Sequence, residues 1–536
     1  WTNVAAADAT SPYSASWVTT GVSDGLYDLQ VITTDKSGNT LTSALITTVR
    51  VDNTAPVPSV VVANGVPNAF QNGTKIYFKS NTAGSFGLVA TVTDGGSGAA
   101  SATFPVLATA GWTHAVETVA TPAGGPYVST SFVWANGAST PATYTITVVD
   151  AAGNTSTSAF TFTADATAPT GSLTAPAAAA NLRGSAAVTS NSADASSGVA
   201  SAQFQTSPAG AGSWSNLGVA DAITPYSTIW DTTISTDALY DLRVITTDNV
   251  GTAFTSATIA NVRVDNTAPT GSITAPAANA FVNGANVAVS ANSADAGSGI
   301  SSAQFQTSPR GASSWTNLGA ADATSPYGVT WNTTTYADGQ YDLRVITTDK
   351  SGNTFTSAPV LAEVQNAAPT ATTVQLLDSA GTAGKAEQGD RIVATFSETL
   401  RVSTMCSTWS GDFSDQTLAA LGDVTVSVAD GGVANDTLTV TSASCAFHFG
   451  TINLGSASYA TGGNVTFSGS TTADKSTIAW NATTRTLTIT LGHSAGTGTA
   501  GTVAGSAATY TPDAAIKNGF GTAITGTFNT GILTLF

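Results

Sequence analysis

Tyr341-Asp342-Leu343-Arg344-Val345-Ile346-Thr347-Thr348-Asp349 is the stretch that decides the fold. Tyr341, Leu343 and Val345 alternate with Asp342 and Arg344, so one side is apolar and the other wet, the pattern of a half-buried strand. The run returns unchanged at Tyr240-Asp241-Leu242-Arg243-Val244-Ile245-Thr246-Thr247-Asp248. It returns with one change at Tyr27-Asp28-Leu29-Gln30-Val31-Ile32-Thr33-Thr34-Asp35.

Internal repeats extend outward from this strand. Thr167-Ala168-Pro169-Thr170-Gly171-Ser172 recurs 100 residues later as Thr267-Ala268-Pro269-Thr270-Gly271-Ser272. Ser201-Ala202-Gln203-Phe204-Gln205-Thr206-Ser207-Pro208 recurs as Ser302-Ala303-Gln304-Phe305-Gln306-Thr307-Ser308-Pro309. The opening from Trp1 matches the segment from Trp315, so the chain is expected to begin within a repeat. Five segments follow: a partial, C-terminal-half domain at 1–54, a divergent copy at 55–168, repeats at 169–268 and 269–368, and a segment without a second copy at 369–536. Gly, Asn, Asp and Pro punctuate each unit every 8–12 residues or so, the rhythm of a β-sandwich.

Composition agrees. Of 33 acidic residues only Glu117, Glu363, Glu387 and Glu398 are glutamate, a helix former; the others are aspartate, a turn former and hard oxygen ligand. A net charge of −17 with 16 Lys and Arg argues against nucleic acid and anionic membrane partners, which need basic patches. It favours cations. No apolar run is long enough for a membrane-spanning helix. Cys406 and Cys445 would pair in an extracellular protein and stay free in a cytosolic one; the disulfide is favoured.

The motif Asp338-Gly339-Gln340-Tyr341-Asp342-Leu343, followed in other copies by Val264-Asp265-Asn266-Thr267-Ala268-Pro269, resembles the bacterial immunoglobulin-like (Big) tandem repeats of large surface proteins and adhesins. The resemblance covers about 1–368. Gly389-Asp390-Arg391-Ile392-Val393-Ala394-Thr395-Phe396-Ser397-Glu398 is more loosely similar to β-rich modules of such proteins. The expected fold is all-β: tandem immunoglobulin-like β-sandwich domains plus a larger C-terminal β-sandwich. The Asp338-to-Tyr341 turn resembles the tyrosine-corner position of such domains.

Calcium at domain junctions is the main chemical expectation. Each unit offers an aspartate in a turn (Asp35, Asp150, Asp248, Asp349), one in the linker (Asp52, Asp165, Asp265) and one in a later loop (Asp94, Asp194, Asp295). Three carboxylates with backbone carbonyls can make a six- to eight-oxygen cage. The resemblance implies calcium there too, whereas plain turn chemistry accounts for the same aspartates without an ion. At the last junction Asn366 and Ala367 are read as replacing the acid, so no ion is expected there.

Paired tryptophans at Trp214/Trp230 and Trp315/Trp331 read as core, with a sugar platform as the alternative. Gly492-His493-Ser494-Ala495-Gly496 spells a nucleophile-elbow motif, but neither a helix nor a later histidine follows it. His114, His448 and His493 form no zinc-ligand spacing. The expected function is therefore non-catalytic: an extracellular structural protein of the cell surface. It would be a self-associating subunit of a filament or S-layer-like assembly, with the C-terminal strand at 531–536 completing a neighbour. The alternative is an adhesin stalk that binds glycans or cells.

Overall fold

The computed structural model describes residues 1–63, 66–379, 381–533 and 535–536. The deciding stretch is a strand in both full repeats, Ala238–Asp248 and Gly339–Asp349, and every second residue from Leu242 and from Leu343 onward is buried. Leu242, Val244, Leu343 and Val345 are fully buried. Period-two alternation thus sets the sheet's orientation, as a one-residue slip would turn every apolar side chain outward.

The chain divides into two compact units, Trp1–Asn266 and Thr267–Phe536. In the first unit, the repeat that ends at Asn266 has a three-stranded sheet, Leu173–Ala175, Ser185–Ser190 and Ser227–Asp231. Its second sheet runs Asn181–Leu182, Ile259–Val264, Ala238–Asp248, Val199–Pro208 and Ser215–Asn216, with Ala253–Thr255 also on Ala238–Asp248. Val188, Phe204, Trp230, Leu242 and Val262 fill the space between the sheets. The divergent copy has a six-stranded sheet in which Thr155–Ala164 pairs antiparallel with Tyr144–Asp150 and parallel with Lys75–Phe78. Its core is aromatic, with Trp112, Trp134, Phe86 and Phe162 in mutual contact. The first segment has only two small strand pairs, Gly25–Leu29 with Ile46–Val51 and Ile32–Thr34 with Thr40–Thr42.

In the second unit the next repeat has the same two-sheet plan around Phe305, Trp331, Leu343 and Val345. The C-terminal module is a larger sandwich of a five-stranded and a seven-stranded sheet. Cys406 and Cys445 form a disulfide across 39 residues there. Among the described residues the only helical turns are 3₁₀, at Thr232–Ile234, Thr333–Thr335 and Val402–Thr404. Among the described residues no helix is long and apolar enough to cross a membrane.

The tyrosine corner forms three times. The hydroxyls of Tyr27, Tyr240 and Tyr341 donate to the carbonyls of Ser23, Thr236 and Ala337 at 2.8, 2.9 and 3.1 Å. Each bond ties a strand's start to the turn four residues before it.

Two expectations are corrected. Trp230 and Trp331 are core, but Trp214 and Trp315 are only half-buried, lying under the guanidinium groups of Arg243 and Arg344 at 4.1 and 4.0 Å. They precede the polar edge strands Ser215–Asn216 and Thr316–Asn317 and cover the wet face of the sheet. The C-terminal strand is not free to complete a neighbour. Phe528–Leu533 pairs with Ser506–Pro512, and Leu535 and Phe536 are buried in their own module's core (Thr534 lies outside the described residues).

Candidate cation sites at the module junctions

Asp150 and Asp248 end their strands in phase with the core residues before them, Ile146 and Val148 in one case and Leu242 and Val244 in the other. The alternation that buries the apolar side chains therefore also buries these carboxylates, which are 2% and 1% exposed. The linker acids Asp52 and Asp165 follow the last strand of the preceding module and are 7% and 1% exposed. Burying a carboxylate without a partner is costly, so each oxygen must find a donor, a proton or a cation.

The first junction gathers Asp52, Asp94 and Asp150, with one oxygen of each lying within 4.8 Å of the others. The Oδ2 of Asp52 accepts from the Ser97 N–H at 2.5 Å. The Oδ2 of Asp94 accepts from Gly96 and Gly98 N–H at 3.2 and 2.6 Å, and its buried Oδ1 has no partner. Asp150 accepts from the Asn154 N–H and from Asn154 Nδ2, both at 2.8 Å. Asn154 Nδ2 also donates to the Asp52 carbonyl at 2.9 Å, so one amide spans linker and turn. Gly96 is required here, since a Cβ would lie 2.3 Å from the Asp52 carboxyl carbon.

The second junction repeats the arrangement with Asp165, Asp194 and Asp248, again within 4.8 Å. Asp165 Oδ2 accepts from the Ser197 N–H at 3.1 Å, and Asp194 Oδ2 from Ser196 and Gly198 at 3.0 and 2.7 Å. Asp248 Oδ1 accepts from Val250 and Thr252 N–H at 3.0 and 2.6 Å, whereas its buried Oδ2 has no partner. Burial pushes the Asp248 carboxyl above the ordinary aspartate range; the Thr252 bonds oppose this, and the charges of Asp165 and Asp194 add to it. Among the described residues none of these six acids makes an ion pair.

At 4.8 Å and an effective dielectric of about 20, each pair of like charges repels by about 3.5 kcal/mol. A divalent cation removes this cost, and carboxylate oxygen is the donor that Ca²⁺ takes. The residues present fit such an ion: three hard anionic ligands and one unpartnered oxygen per cluster, with no ion pair to any of them among the described residues.

The other predicted residues have their own local partners. Asp35 is exposed and accepts from Ser37, Asn39 and the Asn39 amide, which is a turn closed by itself. It belongs to neither cluster. Asp265 is fully buried at the end of the first unit, its N–H donating to the Leu182 carbonyl at 2.9 Å. In the second unit Asp295 accepts from Gly297 and Gly299 at 3.0 and 2.7 Å, and Asp349 from Asn353 at 2.8 Å. These bonds match those of Asp194 and Asp150. Ser494 of the elbow-like string opens an exposed edge strand, Ser494–Gly496, paired with Val465–Phe467.

The last junction corrects the reading that Asn366 and Ala367 replace the acid. Aligning Val364-Gln365-Asn366 on Val264-Asp265-Asn266 puts Gln365 in the acid's place. Asn366 does what Asn266 does in the repeat before: each amide donates to a threonine carbonyl, that of Thr333 or Thr232.

No curated protein matches the chain. Among solved structures, the fibronectin(III)-like modules of CbhA from Clostridium thermocellum align at 18% identity with a TM-score of 0.26, over 37% of this chain and 94% of that one. A tetra-tandem repeat from the extending region of a large adhesion protein aligns at 14% identity with a TM-score of 0.24, over 89% and 99%. A structure from a 1.5-MDa bacterial ice-binding adhesin aligns at 14% with a TM-score of 0.24, over 59% and 100%. Residues 269–345 match the family model of the bacterial Ig domain.

Proposed function

We propose that the chain is a non-catalytic, extracellular spacer of a bacterial surface protein, a string of immunoglobulin-like sandwiches whose junctions are clamped by Ca²⁺. The observation that carries this reading is the pair of triads, Asp52/Asp94/Asp150 and Asp165/Asp194/Asp248. Each combines a linker acid from one module with two acids of the next. An ion bound there resists bending because it ligates both sides of a short linker. The bacterial Ig match and the disulfide support a surface location. The test is calorimetry of the full chain with CaCl₂ or with EDTA. Calcium should raise the melting temperature, and equal midpoints would remove the clamp.

The stalk of an adhesin is the form of this function we favour. A filament subunit is a second reading, in which tandem immunoglobulin-like modules of one copy pack against those of another. Sedimentation of the purified chain separates the two, since a stalk stays monomeric. Glycan or cell-surface binding belongs to the adhesin reading and is tested by binding of the same monomer to glycan arrays.

A further inference from the structure

The junction between the last repeat and the C-terminal module is built differently, and entirely within the second unit. Gln365, standing where the other linkers have aspartate, is 1% exposed. Its Nε2 donates to the Thr399 carbonyl at 2.8 Å and to Glu363 Oε1 at 3.3 Å, and its Oε1 accepts from the Gly519 N–H at 2.9 Å. A neutral amide can both donate and accept, so it joins the two modules directly where a carboxylate could only accept.

Two glutamates are fully buried beside it, Glu363 and Glu398. Glu363 is well satisfied. Its Oε1 accepts from the Thr399 N–H at 2.6 Å and its Oε2 from Gln340 Nε2 at 3.1 Å. Glu398 is not. Its Oε1 accepts one long bond from Asn518 Nδ2 at 3.3 Å, and its buried Oε2 has no partner. Asn518 also reaches the Ala367 carbonyl at 3.5 Å, so the Glu398 side chain sits where linker and module meet. The charged groups around Glu398 are Glu363 and Asp338, which disfavour a second negative charge, and Arg485, which favours it. Arg485 is engaged with the Ser397 carbonyl at 2.5 Å. Arg401, three residues along, donates to the Gly519 carbonyl at 2.5 Å. A buried carboxylate with one weak donor and two acids near it is better accommodated as the neutral acid.

We propose that Glu398 is protonated in the folded chain and that this junction is stabilised by that proton rather than by a cation. The inference stands on the second unit alone, whether or not the first two junctions bind Ca²⁺. Burial is the main cause that raises the carboxyl to about 8, with Asp338 and Glu363 adding to it and Asn518 and Arg485 opposing it. The sign follows. The unfolded chain releases this proton near the ordinary glutamate value and the folded chain holds it, so stability falls as pH rises between the two and is flat above the folded value.

The chain has four glutamates, which makes the proton directly observable. The full chain, labelled with ¹³C at its glutamate carboxyls and kept in EDTA, is titrated by NMR from pH 4 to pH 10. One of the four carboxyl signals should move between about pH 7 and 9, and Glu398→Gln, the neutral isostere, should remove that signal and no other. In the same buffer the melting midpoint of the wild type should be lower at pH 8 than at pH 5, and the difference should shrink in Glu398→Gln. Four signals that all complete their titration below pH 6, or an alkaline signal that survives in Glu398→Gln, overturn the proposal. Because EDTA is present throughout, failure of the calcium clamp leaves this outcome unchanged.

Discussion

Asp248→Asn separates a cation clamp from turn chemistry, because the two uses of this side chain involve different oxygens. Oδ1 caps the turn by accepting from Val250 and Thr252, and an asparagine carbonyl keeps both bonds. Oδ2 is the buried atom without a partner, and it becomes an NH₂ group. If no cation binds, the variant differs from the wild type by the same amount in calcium as in chelator. If a cation binds, the sign of the effect depends on the ion. Without it, the substitution removes two of the three repelling pairs in the triad, about 7 kcal/mol at 4.8 Å and an effective dielectric of about 20. The actual relief is smaller, since the raised Asp248 carboxyl is partly protonated at low pH. With Ca²⁺ at about 100 times Kd, the wild type gains about 2.7 kcal/mol, or some 10–20 °C for a module of this size, and the variant gains far less. Scanning calorimetry of both proteins in EDTA and in CaCl₂ should therefore show a crossover, the variant melting higher in chelator and lower with calcium. The pH dependence in EDTA has its own sign. A carboxyl raised by burial holds its proton in the folded state, so wild-type stability falls as pH climbs above the ordinary aspartate value, and Asp248→Asn lacks that fall. A difference between variant and wild type that is the same in EDTA and in CaCl₂ would refute the clamp at this junction.

Tyr341→Phe deletes the corner bond to the Ala337 carbonyl and leaves the ring packed against Trp331, so it should cost about 1 kcal/mol and lower the repeat's melting temperature by about 4–8 °C. Unchanged melting would show that the hydroxyl is equally well solvated by water. Reduction of Cys406–Cys445 opens a loop of 39 residues and should destabilise the C-terminal module by about 4 kcal/mol on the chain-entropy estimate, without moving the transitions of the repeats. Calorimetry with and without a thiol reductant checks this, and a shift in the repeats would mean the modules do not melt separately.

Much of the fold was legible because it rests on a short-range rule. The alternation through Leu343 and Val345 carries strand and buried face together, and the repetition of the run carries the domain count. The three-part set of linker, loop and turn acids was legible in the same way. What went unread was the phase of Asp248. It stands two residues after Thr246 and four after Val244, on the inward register, and that position separates a buried ligand from an ordinary turn aspartate. The fates of Trp214 and Trp230 were not separable by spacing alone, since both recur once per repeat. The useful signal was Arg243, an outward-phase cation on the central strand able to cover an aromatic ring. Burial of the C-terminal Phe536 depends on contacts with Leu376 and Tyr459, distant in sequence, which no local pattern reports. Gln365 was missed through a one-residue misalignment, and Glu398 because a lone glutamate in a strand-rich segment carries no motif.

The triads also make a prediction about cooperativity, which follows from how Asp165 is held. Its backbone N–H donates to the Phe78 carbonyl at 2.8 Å, inside the divergent module, while its side chain accepts from Ser197 in the next repeat. Asp194 and Asp248 belong wholly to that repeat. A cation at this triad therefore has its full ligand set only when both modules are folded and adjacent. Its binding free energy then appears as coupling between two unfolding events, on the order of 1–3 kcal/mol for a typical allosteric link. In EDTA the two modules should unfold in separate steps. In CaCl₂ the less stable one should move up towards the other and the two should merge. Asp165→Asn keeps an oxygen for the Ser197 N–H but loses the shared charge, so it should leave the transitions apart even with calcium present. If calcium instead raises only the repeat that contains Asp194 and Asp248, and Asp165→Asn does not alter that rise, the ion is held within one module and the junction is not clamped. That outcome would remove the mechanical role while leaving a calcium site in place.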